Sequence, residues 1–331
     1  MAGKITSAGE FMEKVNAFRI SRILLTAHEL RIATLLAVKG RTSSELAKEI
    51  QADPRATDRF LNALVALGLL DKKGGVFFNT PFSSKFLVES SPAYLGGLTH
   101  AVGLWRTWNT LTEAVLTGTT VANQPSIGDR GDSWLEGFIA AMHARAGQEA
   151  IEVADVLDLK KVKKILDVGG GSGAFCFEFV RRIQGATAVV FDLPGVVPIT
   201  QGYIERAGMT SSVTTLAGDY LVNDFGHGYD LVFISAVVHI NSPGENLRLI
   251  RKAAEALNPG GQVVIRDHVM SEDRTQPETG AIFALNMLVG TLHGDTYTEN
   301  EMREWMEQSG LTKILRKETA GGASLMIGRK K

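Results

Sequence analysis

Cysteine is almost absent. The 331-residue chain has one, Cys176, so no disulfide can close within it and a cysteine-based zinc site is not expected. Nor is any other metal. The same scarcity fits a reducing compartment, and a cytoplasmic protein is expected. An excess of charge is also missing. Lys and Arg total 35 against 36 Asp and Glu, a net charge of −1, which gives no electrostatic grounds for a nucleic-acid or acidic-lipid partner. No stretch reaches about 18 uncharged apolar residues, so no membrane span is expected. The opening residues MAGKITSAGEFMEKV lack the apolar core of a signal peptide. What is present is ordinary globular composition, 44% hydrophobic and 21% charged, which excludes disordered, collagen-like and fibrous classes. At roughly 150 residues per domain, the length fits about two domains.

Two textures divide the chain, and the expected domains are 1–122 and 123–331. From Phe11 to about Ala122 the pattern is helical. Phe18, Ile23, Leu24, Ala27, Leu30, Leu35 and Leu36 fall on one broad face at a period near 3.6. Thr42 or Ser43 can cap the next helix, with Glu45 early in it. Asp53-Pro54 reads as an N-cap followed by N1, and Gly68 as the residue that ends that helix. Leu69 to Phe78 reads as a hairpin turning at Gly74-Gly75. Helix, helix and hairpin in that order make a winged helix-turn-helix. Its second helix carries Arg55 and Arg59 against Asp58, too little charge for a DNA reader. The apolar Phe11–Leu36 segment favours burial against a second subunit, hence a homodimer.

From about Pro125 to Asp158 the chain is again helical, and Phe138, Met142 and His143 lie about one turn apart. At Lys163 strands begin to alternate with helices. The strands are KKILDV, TAVVFD from Thr187, SVTTLAGD from Ser212, DLVFISAVVH from Asp230 and GQVVIRD from Gly261. A helix from Gly244 to Leu257 ends at the turn Asn258-Pro259-Gly260-Gly261. Such alternation means a parallel sheet covered on both faces. Two strand-like runs around Ala320-Gly321-Gly322 leave no room for a crossover helix, so an antiparallel hairpin is expected at the sheet edge.

Asp167-Val168-Gly169-Gly170-Gly171-Ser172-Gly173 leaves the first of these strands and enters a helix near Ala174. Glycines let the backbone turn sharply and approach a ligand closely. Gly169, Gly171 and Ala174 also satisfy the loose dinucleotide pattern, so the loop alone is ambiguous. Asp192, at the end of the next strand, can accept from a ribose diol, a feature shared by NAD enzymes and S-adenosylmethionine enzymes. Asp219, ending the third strand, is placed for an adenine amino group, with Tyr220 beside it for stacking. Three acids at three successive strand ends suit a cationic sulfonium cofactor and repel a pyrophosphate.

The segments ILDVGGGSG, VVFDLPGVV, LAGDY, ISAVVH and ALNPGGQVVIRD resemble the small-molecule O-methyltransferases of the plant caffeic acid, bacterial natural-product and acetylserotonin type. SRILLTAHELRIATLL, SELAKEI and LVALGLL resemble that family's N-terminal winged-helix dimerisation domain. The resemblance implies an α/β class I methyltransferase fold, Rossmann-like, with a seven-stranded sheet whose last strand is antiparallel. It implies S-adenosyl-L-methionine as cofactor, with Leu193, Gly218 and Ser235 joining Asp167, Gly169, Gly171, Gly173, Asp192, Asp219 and Tyr220 around it. It implies a hydroxylated aromatic substrate. His239, read at the end of the fourth strand, is the implied general base, and Asp267, 28 residues on, its acidic partner. Trp105, Trp108, Phe138, Met142, Phe283, Asn286, Met287 and His293 fall on segments that line the substrate cleft in relatives. His143 and His293 are rival bases of lower rank. The chain departs from the pattern at Ile240-Asn241, where Asp-Trp is usual, and at Ser235, where Lys often stands. It departs again near Thr296, with Asp295 adjacent, where a second acid is common. Two other readings of the scaffold are a methyltransferase-fold hydroxylase or decarboxylase and a winged-helix regulator that senses S-adenosylmethionine.

Overall fold

The computed structural model describes residues 4–122, 131–319 and 322–331. The start expected for the long helix, Pro125, and the hairpin turn at Ala320-Gly321 lie outside the described residues. The chain divides into two compact units, Met1–Gly103 and Leu104–Lys331.

The first unit runs α1 (Ala8–Asn16), α2 (Phe18–Glu29), α3 (Ile32–Leu35), β1 (Arg41–Thr42), α4 (Ser43–Glu49), α5 (Pro54–Ala66), β2 (Leu70–Lys73), β3 (Val76–Asn79) and α6 (Pro81–Phe86). Thr42 caps α4 in a reciprocal box with Glu45. Asp53 caps α5, with Pro54 in its first turn. Gly74 and Gly75 both take positive φ, the requirement of the two-residue turn between β2 and β3. Strand β1 pairs with β3, giving the order β1-β3-β2. Ile32, Leu36, Leu46, Leu61, Leu64, Leu70 and Phe77 form the core.

The single apolar face expected over Phe18–Leu36 splits in two. Ile23, Ala27, Leu30 and Leu35 pack on this core, whereas Phe18 and Leu24 are exposed and Leu25 is buried. The helical phase is broken at Arg31, whose φ of 54° is left-handed, so α2 and α3 meet the core with separate registers. Phe11, Met12, Val15 and Ile20 are exposed as well, and α1 buries no residue.

The second unit contains the end of α7 (Leu98–Trp108), then α8 (Leu111–Thr117) and α9 (Asp132–Val156). Helix α8, which the sequence assigns to the first half, packs on a late helix of the second unit. After it come β4 (Lys164–Val168), α10 (Ala174–Arg182), β5 (Thr187–Asp192), α11 (Val197–Arg206), β6 (Val213–Ala217), β7 (Tyr229–Ser235), α12 (Pro243–Ala256) and β8 (Leu257–Asp267). The chain continues through β9 (Val269–Met270), α13 (Glu278–Gly290), β10 (Tyr297–Thr298), α14 (Glu299–Gln308), β11 (Leu311–Glu318) and β12 (Ser324–Lys330). Seven strands form one sheet in the order β11-β12-β8-β7-β4-β5-β6. The contacts among β8, β7, β4, β5 and β6 are parallel. Strand β12 is antiparallel to both β8 and β11, so the hairpin sits at the edge with its last strand on the inside. This is the expected class I methyltransferase sheet.

Strand alternation sends side chains to opposite faces. Leu166, Val232, Ile234, Val263 and Ile265 pack with Leu249, Ile250 and Ala253 of α12 and with Met302 and Met306 of α14. Ile165, Leu231, Phe233 and Val264 pack with Val153 of α9 and with Cys176 and Phe179 of α10. Two expected boundaries differ. Strand β8 begins at Leu257, because Asn258–Gly261 bulges out between the Tyr229↔Leu257 and Leu231↔Gln262 pairs. Strand β7 ends at Ser235, so His239 lies beyond it, in a 3₁₀ turn over Val238–Ile240. Ala236 turns the chain there with φ 56°, and its N–H donates to the Arg266 carbonyl at 2.9 Å. Left-handed backbone costs a non-glycine residue about 1–2 kcal/mol. No helix among the described residues is long and apolar enough to cross a membrane.

Candidate active site

The C-terminal ends of the five parallel strands β4, β5, β6, β7 and β8, with the turn after β7, build the site at one end of the sheet. The loop after β4 is held from three sides. Gly169, Gly171 and Gly173 take φ of 68°, 56° and 78°, which residues with a Cβ adopt only at a cost. Gly170 is glycine for another reason: a Cβ there would stand 2.7 Å from the Asp167 carboxylate. Asp192 Oδ2 accepts from the Gly171 N–H at 2.8 Å, and its Oδ1 accepts from the Leu193 N–H at 2.8 Å. The Thr200 hydroxyl, fully buried, donates to the Gly171 carbonyl at 2.6 Å.

Asp167 is 1% exposed. Its Oδ2 has the Cys176 thiol at 3.6 Å, and its Oδ1 has no hydrogen-bond partner. Burial pushes this carboxyl up to about 7, and the neighbouring Asp192 adds to the rise while Cys176 opposes it. Burial raises Asp192 too, against the two backbone N–H groups that favour its charge. Each Asp192 oxygen keeps a second lone pair for a ligand. Asp219 caps its own turn, with Oδ1 accepting from the Leu221 N–H at 2.8 Å. Gly218 is needed because a Cβ would meet the Phe191 ring at 2.7 Å. The Tyr220 hydroxyl donates inward to Asn241 Oδ1 at 2.9 Å, and its ring packs against the main core. Burial pushes that phenol up to about 12. The ring is thus anchored by the fold, which the expected stacking role did not foresee. Half-buried Ser235 has its hydroxyl 3.5 Å from the Arg266 guanidinium, and Arg266 is paired with Glu149 at 2.9 Å.

His239 and Asp267 meet as expected. Nδ1 of His239 lies 2.9 Å from both Asp267 oxygens, and Oδ1 also accepts from the His268 N–H at 2.8 Å. Both side chains are buried. Burial raises the Asp267 carboxyl, but the His239 imidazole and the hydrogen bonds outweigh it and hold the group below its ordinary range. An ionised carboxylate only accepts, so the Nδ1 of His239 carries hydrogen and Nε2 is the basic nitrogen. The His239 ring meets Phe283 edge-on, with centroids 4.8 Å apart at 88°. His268, missed in the sequence, packs on the same Phe283 ring at 4.8 Å, and burial lowers its pKa. Under His239 the buried Asn241 binds Tyr220, Asn246 and Tyr297, and Asn246 in turn donates to the Val238 carbonyl at 2.9 Å. No periodicity marks Asn241 or Thr200; the only signal at Asn241 was its departure from the family's Trp.

The second acid position resolves differently. The Asp295 backbone N–H donates to the His239 carbonyl at 3.0 Å, but its carboxylate pairs with Arg274 at 3.2 Å and accepts from the Thr296 N–H at 2.7 Å. Thr296 is buried against the Gly280 carbonyl. Asp267 is therefore the acid that meets His239.

Of the expected pocket wall, Phe283 touches His239, and Asn286, one turn on, accepts from the Trp108 indole N–H at 2.9 Å. Met287 is buried and Trp105 half-buried. Phe138 stacks on Trp134 with centroids 5.1 Å apart and packs with Leu135, Ile139 and Val196; Met142 is half-buried one turn further along α9. The rival bases sit elsewhere. His143 binds the Ser172 hydroxyl of the glycine loop at 2.8 Å, and burial lowers its pKa. His293 is exposed in the loop after α13.

Residues 126–312 match the O-methyltransferase domain family, and residues 12–89 match the O-methyltransferase dimerisation domain. The chain belongs to the O-methyltransferase family. Among curated proteins it is 30% identical to the tetracenomycin polyketide synthesis 8-O-methyl transferase TcmO of Streptomyces glaucescens, over 98% of each chain. It is 31% identical to the 3-hydroxy-5-methyl-1-naphthoate 3-O-methyltransferase of Streptomyces sahachiroi, over 89% of this chain and 86% of that one. Among solved structures, an O-methyltransferase family protein from Burkholderia thailandensis aligns at a TM-score of 0.85 and 26% identity over 99% of each chain. This O-methyltransferase is thus an S-adenosylmethionine-dependent enzyme, and its glycine loop and strand-end acids have the chemistry that such a cofactor needs. The buried, unpartnered Asp167 oxygen could accept from a positively charged group, and the open lone pairs of Asp192 could accept from a diol.

Proposed function

We propose that the enzyme methylates a hydroxyl of an aromatic small molecule, with His239 as general base and Asp267 as the group that orients it. The carrying observation is the buried pair itself, Nδ1 of His239 at 2.9 Å from the Asp267 carboxylate, with Phe283 against the imidazole. Asp167, Asp192 and Asp219 around the Gly169–Gly173 loop would hold S-adenosylmethionine, which would supply an electrophilic methyl group and leave as S-adenosylhomocysteine. A neutral phenol is a poor nucleophile. Nε2 of His239 takes the hydroxyl proton and so leaves the substrate oxygen nucleophilic. Asp267 keeps Nδ1 protonated, so that Nε2 faces the substrate as the base, and it stabilises the imidazolium that results. Phe283, Met287, Trp105, Trp108, Phe138 and Met142 supply apolar walls for an aromatic ring, and of the two Streptomyces relatives one is named for O-methylation of a hydroxynaphthoate and the other for O-methylation in tetracenomycin polyketide synthesis.

The first domain, near residues 1–122, is read as a winged-helix assembly module and 123–331 as the catalytic domain. The exposed Phe11, Met12, Val15, Phe18, Ile20 and Leu24 supply the contact surface of a homodimer. Asp58 on α5 is paired with Lys72 at 3.6 Å, which supports assembly over nucleic-acid binding for this unit. With one buried cysteine, Cys176, the enzyme suits the cytoplasm. The test of the site is His239→Ala. Turnover should fall about 10²–10⁴-fold while affinity for S-adenosylmethionine stays near the wild-type value. Full activity of the variant at neutral pH would remove His239 from the mechanism.

A further inference from the structure

The turn that carries His239 is weakly closed by its own backbone. The bond at its end, from the Asn241 N–H to the Val238 carbonyl, is long at 3.4 Å, and 3₁₀ geometry is poor to begin with. A second donor reaches the same carbonyl: Nδ2 of Asn246, fully buried on α12, at 2.9 Å. That contact gives a direction to every bond behind it. A carbonyl only accepts, so the Asn246 amide must turn Nδ2 toward it and Oδ1 away. This Oδ1 receives Nδ2 of Asn241 at 3.1 Å, which turns Oδ1 of Asn241 toward Tyr220. The Tyr220 hydroxyl must then donate, as it does at 2.9 Å. Burial, which pushes that phenol up to about 12, keeps the proton on it. Flipping either amide would set two acceptors face to face, where both side chains are buried.

Tyr220 belongs to the other half of the site. It follows Asp219 in the loop after β6, and its carbonyl accepts from Lys252 Nζ at 2.7 Å. Lys252 and Asn246 both stand on α12. One helix therefore holds the Asp219 loop by one carbonyl and the His239 turn by another, and the Tyr220 hydroxyl joins the two through the amides. We infer that Asn241 and Asn246 are positioning residues for His239, locked by the Tyr220 hydroxyl, so that the loop that would seat the adenosine half of the cofactor also sets where the base points. The inference rests on the reading of His239 as that base. Asp267 fixes the tautomer of the imidazole; the amides fix the backbone that carries it. A misplacement of about 1 Å can cost about 10²-fold in rate.

Two measurements test this. In the ligand-free enzyme with isotope-labelled histidine, the Nδ1 proton of His239, assigned by its loss in His239→Gln, should give a protected magnetic-resonance signal. Tyr220→Phe, which deletes one hydroxyl, and Asn246→Leu should both broaden it by faster exchange. Tyr220→Phe carries the test if the Leu variant folds poorly. Tyr229→Phe should leave the signal sharp, although it deletes a buried phenolic bond of the same kind, to the Phe225 carbonyl at 3.0 Å. The second measurement is kcat at saturating S-adenosylmethionine on 1-naphthol, neutral at pH 7, and on 4-nitro-1-naphthol, largely ionised there. Each variant should lose about 5–10-fold on the first, the range that one neutral hydrogen bond supports. It should lose little on the second, which needs no base. The double variant should lose no more than Asn246→Leu alone, because Tyr220 acts through the amides; independent losses would add. A wild-type Nδ1 signal in both single variants, equal losses on the two naphthols, or additive losses would overturn the inference. His239→Ala matching the wild type on 1-naphthol would instead strike the base reading and the inference with it, a result distinct from those three.

Discussion

Replacing Asp167 by Asn should make the free enzyme more stable and a worse binder of its cofactor. The carboxyl is fully buried, one oxygen has no partner, and its proton is held to about 7 instead of the ordinary 3.8. A folded-state pKa above the unfolded one means that the folded chain keeps a proton which the unfolded chain has lost. Stability therefore falls as pH rises from about 4 to 7 and is flat above that. At about 1.4 kcal/mol per pH unit, the cost at pH 8 reaches at most about 4 kcal/mol. Asn has nearly the same shape and cannot ionise, so the variant escapes this slope. Urea denaturation at pH 5, 6, 7 and 8, at one protein concentration and without ligand, measures the difference between the two proteins, in which the other titrations cancel. The gap should open in favour of Asp167→Asn and level off above pH 7. Calorimetry with S-adenosylmethionine should show the reverse preference, a loss of about 1.5–3 kcal/mol, as for a hydrogen bond to a charged partner. Parallel pH curves, or a variant less stable than the wild type at pH 8, would refute the reasoning.

Asp267→Asn should cost less turnover than His239→Ala, since it misorients the imidazole without removing it, and raising the pH should partly rescue His239→Ala by ionising the phenol in solution. Thr200→Val leaves the Gly171 carbonyl without its buried donor, so urea midpoints should drop by the equivalent of about 1–3 kcal/mol. S-adenosylhomocysteine titrations of that variant should show weaker binding than wild type. Light scattering at low micromolar concentration should give about twice 35.7 kDa, and Phe18→Asp with Leu24→Asp should shift the peak toward the monomer; a wild-type monomer would count against the interface.

The site was legible in the sequence where backbone chemistry forces residue choice. Positive φ at Gly169, Gly171 and Gly173 demands glycine, and acids at parallel strand ends advertise themselves by position. His239 and Asp267 were legible through the family pattern, although the histidine stands in a 3₁₀ turn that a continuous apolar run concealed. Thr200, Asn241 and the His143–Ser172 bond were not legible. Each joins segments distant in sequence through one side chain, and a single polar residue on an otherwise ordinary helix or turn leaves no periodic trace. The apolar stripe over Phe18–Leu36 was drawn too wide: within α2, Ile23 and Ala27 face the core while Phe18 and Leu24 do not, and the left-handed Arg31 then restarts the helical phase before α3, a break that a spacing rule does not register.

The strand order carries a consequence for biosynthesis. Strand β12 threads between β8 and β11, yet it is translated after every other strand of the sheet. Until Ser324–Lys330 leaves the ribosome, β8 presents an unpaired edge and β11 has no place to dock. Nascent chains are thus held with an open sheet through nearly the whole synthesis of the Leu104–Lys331 unit, when pairing with another chain is the competing fate. A stall or truncation just before Ser324 should yield a protein that aggregates while every residue of the active site is already made.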